Sequence, residues 1–355
     1  MITIKQIIDI GVEHDCSDIH LTVGRPVEYR CQGVLTVYDP HVMSAQDVGS
    51  VCDQMLNERT RETLDKCGEV DFAYALENCG RLRCNVYMES GKLAAAMRLL
   101  PFSIPTTTQC GTPPAAVHAA TRQKGLVLVT GPTGHGKSTT QAALIHHLNR
   151  HHQKHIITLE DPVEYVHTSE KCIIHQREVG VDTGSFSAAL RAALRQDPDV
   201  ILVGEMRDTE TISIALTAAE TGHLVIATLH TNNTSSTIDR IIDAFPAEQQ
   251  AQIRVQLSTV LECVLCQNLV PTVDGKRTAV YEVLMPTMAV RNMIRENKTP
   301  QIPSALQTGK KYGMQTKDDH LYELFLQRKI SKETALKYAE DEQQLTRKLE
   351  GLGGR

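Results

Sequence analysis

The chain has 355 residues, a formal net charge of -5 and a pI near 6.3, with 41% hydrophobic and 22% charged residues. This is the composition of an ordinary soluble protein that is long enough for two domains. The acidic balance argues against nucleic acid as a partner, and neither a signal peptide nor an apolar stretch near the ~18 residues of a membrane span is present, so we expect a cytoplasmic protein without an integral membrane segment.

The first hundred residues predict a small α+β domain. Segments with the alternation typical of half-buried strands recur there, namely DIHLTVG, PVEYRCQG, GRLRCNVYM and LAAAMRLL. The stretch LPFSIPTTTQCGTPPAA then concentrates proline and polar residues, which indicates a linker. We therefore expect an N-terminal domain at residues 1–100, a linker at 101–116 and a second domain at 117–355.

Residues 131–140, GPTGHGKSTT, fit the phosphate-loop pattern G-x-x-x-x-G-K-[ST]. They follow the apolar run GLVLVT and precede the helical pattern TTQAALIHHLN, so strand, loop and helix occur in the required order. Glycines let backbone N–H groups turn toward phosphates, Lys137 supplies a cation, and the Ser138 hydroxyl can bind Mg²⁺. The predicted phosphate site comprises Gly131, Pro132, Thr133, Gly134, His135, Gly136, Lys137, Ser138 and Thr139.

Apolar runs alternate with helical patterns around and after this loop. The runs GLVLVT, HIITLE, DVILVG and HLVIATLH have the appearance of buried parallel strands. They predict an α/β domain with a parallel sheet covered by helices on both faces. Beyond about residue 245 the pattern becomes helical, and the tail EDEQQLTRKLEGLGGR predicts a frayed, charged helix.

Carboxylates follow two of the predicted strands. Glu160, Asp161 and Glu164 come at and after the end of HIITLE, and Glu205 stands at the tip of DVILVG. Open α/β sheets bind ligands at this edge, where a carboxylate can position a water or hold Mg²⁺. Solvated charge on a loop is an equal alternative for the first three residues.

Two histidines flank the next predicted strand. His223 opens it and His230 closes it, and we expect both at the catalytic edge, where histidine can bind or sense a phosphate. A hydrogen-bonded histidine at a strand end, without a role in catalysis, is the alternative.

Ten cysteines are scattered through the chain and predict reduced, mostly buried thiols. Cys263 and Cys266 form a C-x-x-C within a helical apolar pattern, which favours two core cysteines one turn apart over a zinc site. His147 and His151 lie four apart on a predicted helix. No carboxylate or cysteine accompanies them, so a solvated helix end is favoured over a metal site.

Over nearly its full length the chain resembles the secretion and type IV pilus ATPases. The matching segments are SDIHLTVGRPVEYR, GRLRCNVY, the phosphate loop, ITLEDPVEYVH, DPDVILVGEMRD, TGHLVIATLHTNN and DRIIDAFP. The stretch MAVRNMIRENKTPQIPSALQTGKKYGMQT resembles a segment distinctive of the retraction motors in this family. The extra N-terminal domain and four-cysteine insertion of assembly and secretion ATPases have no counterpart here.

The resemblance implies a homohexameric ring that uses ATP and Mg²⁺, with a PAS-like N-terminal domain and a RecA-like ATPase domain in each subunit. Glu164 would be the general base, Glu205 a magnesium or water ligand, and His223 and His230 sensors near the phosphates. Arginines would meet the charge of the transition state. The candidates, each of which could instead lie on a solvated face or in an ion pair, are Arg81, Arg83, Arg98, Arg195 and Arg240.

The implied function is retraction of a type IV pilus. Hydrolysis would change the angle between domains, and the ring would turn an inner-membrane platform protein while docked at the inner face of the cytoplasmic membrane. The alternatives are an assembly or secretion ATPase, a DNA motor and a non-hydrolysing regulatory homologue.

Residues 289–296, AVRNMIRE, resemble the retraction motif of the family. The segment predicts an amphipathic helix in which Val290, Met293 and Ile294 share an apolar face and Arg291 and Arg295 line another. A helical core segment without a partner surface would have the same pattern.

Overall fold

The computed structural model describes residues 2–31, 33–76, 80–100 and 103–351. The chain divides into two compact units. The first comprises Met1–Ser103 together with the short segment Pro162–Tyr165, and the second comprises Ile104–Asp161 and Val166–Arg355. No helix of the described ranges is long and apolar enough to cross a membrane.

The first unit is a six-stranded antiparallel sheet with helices packed on one face. Strand residues alternate between core and exposed face, as in Leu82, Arg83 and Cys84, where the arginine alone is exposed. The sheet order is β3-β2-β1-β6-β5-β4. In chain order the elements are α1 (Ile4–Glu13), β1 (Cys16–Leu21), β2 (Pro26–Cys31), β3 (Val34–Val42), α2 (Ala45–Met55), α3 (Glu58–Cys67), β4 (Glu69–Leu76), β5 (Gly80–Glu89) and β6 (Lys92–Leu99).

Cys16 and Cys31 form a disulfide between β1 and β2, so the prediction of reduced thiols is wrong for this pair. The two residues are direct cross-strand partners with Cα atoms 4.2 Å apart. Sequence spacing does not reveal strand register, and register alone brings these two thiols together.

The second unit is built on a seven-stranded sheet in the order β13-β12-β7-β11-β10-β8-β9. Every neighbouring pair is parallel except β12 and β13, which are antiparallel. The four apolar runs predicted as parallel strands are β7, β8, β10 and β11. The strands are β7 (Gly125–Thr130), β8 (His155–Glu160), β9 (Ile173–Glu178), β10 (Val200–Val203), β11 (Leu224–Leu229), β12 (Leu261–Pro271) and β13 (Arg277–Leu284).

Helices cover both faces of this sheet, which buries the central strands completely. A short helix and the helix after the phosphate loop pack on one face, and the others share the core on the opposite face. These helices are α4 (Pro114–Ala120), α5 (Lys137–His151), α6 (Phe186–Ala193), α7 (Thr209–Glu220), α8 (Thr234–Asp243), α9 (Ala247–Val260), α10 (Met288–Arg295) and α11 (Ile302–Thr308).

The stretch LECVLCQNL forms most of β12, so the prediction of a helix there is wrong. The run is buried on both faces of the sheet and therefore lacks the alternation that marks a half-buried strand. Cys263 and Cys266 are both buried in β12 rather than one helical turn apart. Within the described parts of the chain, no group of three or more His, Cys, Asp or Glu residues could hold a metal ion.

Three further helices close the C-terminal region. Leu345 and Leu349 of the last helix are buried in a small core with Val270 and Val280 of the sheet. The predicted charged tail is thus a helix with one packed face, and residues 352–355 lie outside the described residues. These helices are α12 (Lys317–Leu326), α13 (Lys332–Lys337) and α14 (Glu342–Glu350).

Candidate nucleotide site

The phosphate loop joins the buried strand β7 to the amino end of α5. Gly131, Gly134 and Gly136 have φ values of 142°, 77° and 80°, a range that strains residues with a side chain. A Cβ atom at Gly131 would lie 2.2 Å from the carbonyl oxygen of Gln267 in β12. Glycine is therefore required by conformation and by close packing, as in a loop whose N–H groups surround a phosphate.

The rest of the loop has the accessibility that a ligand site needs. Thr133 is exposed, as is Gly134. Pro132, His135, Ser138 and Thr139 are half-buried, and α5 begins at Lys137.

Lys137 is buried within the loop, and its ammonium group contacts backbone carbonyls and a histidine. Nζ donates to the carbonyl oxygens of Gly131 and Pro132 at 2.8 and 3.0 Å. It also lies 3.2 Å from Nδ1 of His230, which follows β11. These contacts hold the cation inside the curve of the loop, where phosphates bind.

His230 links this lysine to Glu205, which lies beyond β10. Its Nε2 is 2.9 Å from Oε1 of Glu205. A neutral imidazole with its proton on Nε2 satisfies both contacts, since it donates to the carboxylate and accepts from the ammonium of Lys137. Lysine, histidine and glutamate therefore form one connected chain at the carboxyl edge of the sheet.

Arg207 is the second partner of Glu205, with Nη2 2.7 Å from Oε2. Partial burial raises the pKa of Glu205, but the hydrogen bonds from Arg207 and His230 and the charge of Arg207 outweigh it, so the pKa is lowered. The carboxylate is thus ionised at neutral pH, which suits a magnesium or water ligand.

Backbone hydrogen bonds between neighbouring strand ends fix the position of Glu205. The N–H of Gly204 donates to the carbonyl of Leu159 at 2.7 Å, and the N–H of Met206 donates to Thr228 at 3.1 Å. A Cβ atom at Gly204 would lie 3.0 Å from the same Leu159 oxygen, so the strand ends are closely packed. Glu205, between two anchored residues, has a defined direction.

The acidic residues after β8 are divided between the two units. The Glu160 carboxylate accepts from the Thr158 hydroxyl at 2.6 Å and from the Gln176 amide at 3.2 Å. Asp161 is exposed, and its charge is among the influences that raise the pKa of Arg207. Glu164 is half-buried in the segment that belongs to the first unit. Its role as the base stays a prediction.

His223 lies at the opposite edge of the sheet from the phosphate loop. It precedes β11, and its carbonyl accepts from the N–H of Gly125 at the start of β7. The ring nitrogen Nδ1 is 3.1 Å from the carbonyl oxygen of Ala218. The length of β11 separates His223 from His230 by ~20 Å, so the expectation that both lie at the catalytic edge is wrong for His223.

The two arginines expected in the ATPase core are both exposed. Arg195 follows α6 on the segment that leads to the amino end of β10, and Arg240 is in the last turn of α8. Neither position fixes a catalytic role, which stays a prediction.

Three further predicted arginines share the face of the first sheet that lies opposite its core. Arg81 and Arg83 are in β5, and Arg83 is the cross-strand partner of Arg98 in β6. The Nε of Arg98 is 2.8 Å from Asp18 Oδ1 in β1. These residues form a cationic surface within the first unit.

The sequence did not predict three residues that shape the site, namely Arg207, Gln267 and Leu269. Arg207 follows Glu205 closely in GEMRD, which was a usable signal. Gln267 is 2% exposed, and a buried glutamine in an apolar run signals a specific partner. The backbone contact of Leu269 leaves no sequence signal.

The residues present fit ATP and Mg²⁺. The three glycines with positive φ, the amino end of α5 and the Lys137 ammonium form a cradle for phosphates. The Ser138 hydroxyl and the Glu205 carboxylate are oxygen donors of the type that Mg²⁺ prefers.

This phosphate loop, at the carboxyl edge of a parallel sheet with Lys137, His230 and Glu205, defines a P-loop ATPase. The family model described as type II/IV secretion system protein matches residues 107–348. The chain therefore belongs to this family.

Two individual proteins and one crystal structure are similar to this chain over most of its length. The chain is 43% identical to the Pseudomonas aeruginosa protein named type IV pilus retractation ATPase PilT, over 94% of this chain and 96% of that protein. It is 47% identical to a Neisseria gonorrhoeae twitching motility protein, over 86% of this chain and 82% of that protein. The crystal structure of the pilus retraction motor PilT with bound ADP superimposes with a TM-score of 0.92 at 45% identity, covering 98% of this chain and all of that one.

Proposed function

We propose that this protein is a Mg²⁺-dependent ATPase motor that powers type IV pilus retraction. The observation that carries the proposal is the connected chain from Lys137 through His230 to Glu205 at the phosphate loop. Similarity to PilT proteins over nearly the full length supports retraction as the task.

Within the site, different residues of this chain would bind the phosphates, bind Mg²⁺ and position the reacting water. Lys137 and the loop N–H groups bind the phosphates, and Ser138 and Glu205 would hold Mg²⁺, which neutralises phosphate charge when bound. His230 contacts both Lys137 and Glu205 and so fixes the positions of these two side chains relative to each other. Glu164 accepts the proton of the attacking water in this proposal.

Arginines supply positive charge where negative charge develops. The exposure of Arg83 and Arg98 on one face of the first sheet supports this role for them, acting on the nucleotide of a neighbouring subunit, and half-buried Arg81 lies on the same face. Arg195, Arg240 and His223 would act at a subunit contact, since Arg195 and His223 precede β10 and β11 at the edge of the sheet opposite the loop and both arginines are exposed.

The motor is proposed to work as a homohexamer docked on an inner-membrane platform protein. Residues 1–100 would be its PAS-like domain, 101–116 the linker and 117–355 the RecA-like ATPase domain. The division of the chain between Ser103 and Ile104 supports this assignment, although residues 101 and 102 lie outside the described residues.

Complementation tests the proposal directly. The gene is expressed in a piliated host that lacks its own retraction ATPase, and pilus retraction is recorded by fluorescence microscopy. Wild type and Lys124→Ala, an exposed lysine before β7, should restore retraction, whereas Lys137→Ala should not. Increased pilus assembly without retraction would contradict the proposal and favour an assembly motor.

A further inference from the structure

One side chain of the phosphate loop ties the loop to the neighbouring strand β12. His135 occupies a position that the loop pattern leaves open, and its Nδ1 lies 3.0 Å from the backbone nitrogen of Leu269. The His135 carbonyl accepts from the Gln267 amide at 2.8 Å. Gln267 in turn accepts from the Thr140 hydroxyl of α5 at 2.6 Å. Strand β12 is thus bonded to the loop and to the helix that follows it.

We propose that His135 is a positioning residue, whose neutral ring latches the phosphate loop to β12 and whose protonation opens this latch. A ring nitrogen that accepts an amide N–H carries no proton, so the proton is on Nε2. A second proton would make Nδ1 a donor that faces the Leu269 N–H, and two donors form no hydrogen bond. The loop would then lose one of its fixed contacts to the sheet.

Cations face His135 from three elements, namely Lys137 of α5, Arg277 of β13 and Lys317 of α12. Partial burial, followed by these three charges, lowers the pKa of His135. The latch is therefore closed at neutral pH and opens below the ordinary histidine value of about 6.5.

The latch affects nucleotide binding because the loop N–H groups must already point toward the phosphate position when ATP binds. A loop released on one side samples more conformations, and ordering it opposes binding. We expect the effect in KM for ATP more than in kcat. The value of kcat/KM reports protonation in the free enzyme.

The test measures kcat and KM for ATP between pH 5 and pH 8.5 for wild type, His135→Ala, His135→Asn and His151→Asn. The asparagine oxygen can accept the Leu269 N–H in the place of Nδ1 and does not titrate in this range. His151 is exposed near the end of α5, so its variant is a matched control. Thermal unfolding of each variant identifies any general loss of folding.

On acidification, wild type and His151→Asn should lose about 3- to 10-fold more kcat/KM than either His135 variant, the range expected for one hydrogen bond. His135→Ala should show a loss of that size already at pH 7.5. His135→Asn should exceed the alanine variant. A loss on acidification as large in both His135 variants as in wild type, or an alanine variant with the wild-type profile, would overturn the latch.

This inference rests on the proposed ATP chemistry only for its turnover measurement. Equilibrium titration with a fluorescent ATP analogue, at the same pH values, reports the latch without hydrolysis. The predicted binding pattern without turnover would support the latch and contradict the motor. Normal turnover with pH-independent binding would contradict the latch alone.

Discussion

His230 is the residue through which the cationic and anionic parts of the site meet. Lys137 begins α5 and Glu205 follows β10, so the two are distant in sequence, and one imidazole contacts both. An ATP phosphate that attracts Lys137 would compete with the contact between Lys137 and His230. Nucleotide binding would thereby be coupled to the orientation of Glu205.

Lys137→Ala and Glu164→Ala should separate binding from chemistry. Loss of the buried ammonium removes charge from the phosphate cradle, so ATP affinity should fall by at least ~10-fold. Loss of the base should leave affinity near wild type and lower turnover by ~10²- to 10⁴-fold. Fluorescent nucleotide titration and steady-state phosphate release measure the two effects, with Lys124→Ala as the control. An equal loss of affinity in both variants would contradict the assigned roles.

At the scale of single residues, the site residues that could be predicted are those identified by their spacing from a nearby strand. The phosphate loop and Glu205 could be predicted because each follows a recognisable strand. His223 was misplaced, since a residue that opens a parallel strand lies at the edge opposite to one that closes it. The disulfide of Cys16 and the contacts of Gln267 depend on strand register, which spacing does not reveal.

At the scale of elements, the helix α10 contains the retraction-like motif and is anchored to α9. Val290 and Ile294 are buried, as the amphipathic pattern predicted. Arg291 donates to the carbonyls of Ser258 and Thr259 at the end of α9, where a cation is favourable. The two arginines therefore differ, since Arg291 supports the fold and Arg295 is exposed.

Arg291→Ala should lower the free energy of unfolding by about 2 kcal/mol, because it removes charged hydrogen bonds at a helix end. Arg295→Ala, which loses a single contact to the Ser258 hydroxyl, should change stability by about 0.5 kcal/mol. Thermal unfolding measures the difference. Equal midpoints for both variants would contradict the anchoring role of Arg291.

Arg295→Ala also tests whether the motif of residues 289–296 takes part in pilus retraction. We expect normal ATP turnover and reduced pilus retraction, since the exposed side chain is available to a partner. Loss of turnover in a folded Arg295→Ala protein would instead show that α10 serves the ATPase itself.

Glu340, between α13 and α14, should make the stability of the C-terminal region depend on pH. Glu340 is exposed, but desolvation by its surroundings and the charges of Glu282 and Asp318 raise its pKa to about 7. The folded protein therefore binds a proton that the unfolded chain releases between about pH 4.5 and 7, and stability falls as pH rises through this range.

Glu340→Gln should thus stabilise the protein at pH 8 by about 1 kcal/mol, after allowance for solvent screening, and have little effect at pH 5.5. Thermal unfolding at the two pH values measures this, with the exposed Glu333→Gln as control. An equal gain at both pH values would mean that ionisation of Glu340 is not the cause.

The strands of the second unit show why element type was only partly predictable. The apolar runs that form β7, β8, β10 and β11 were identified correctly as strands because they alternate with helical patterns. β12 was mistaken for a helix because both of its faces are buried, and periodicity is then uninformative. The antiparallel partner β13 was missed with it.

At the scale of the whole molecule, the chain divides into two compact units. The proposed base, Glu164, lies in the segment that belongs to the first unit. The loop, Lys137, His230 and Glu205 all belong to the second. The proposed base and the proposed phosphate site therefore belong to different units.

The central claim is that an assembled ring of this chain hydrolyses ATP. The most direct measurement is steady-state ATP turnover of purified wild type beside Glu164→Ala, with mass determined by light scattering on the same samples. We predict turnover by a six-subunit species, and an equally assembled variant that binds ATP without hydrolysing it. Tight ATP binding without turnover in the wild type would contradict the account and favour a regulatory homologue.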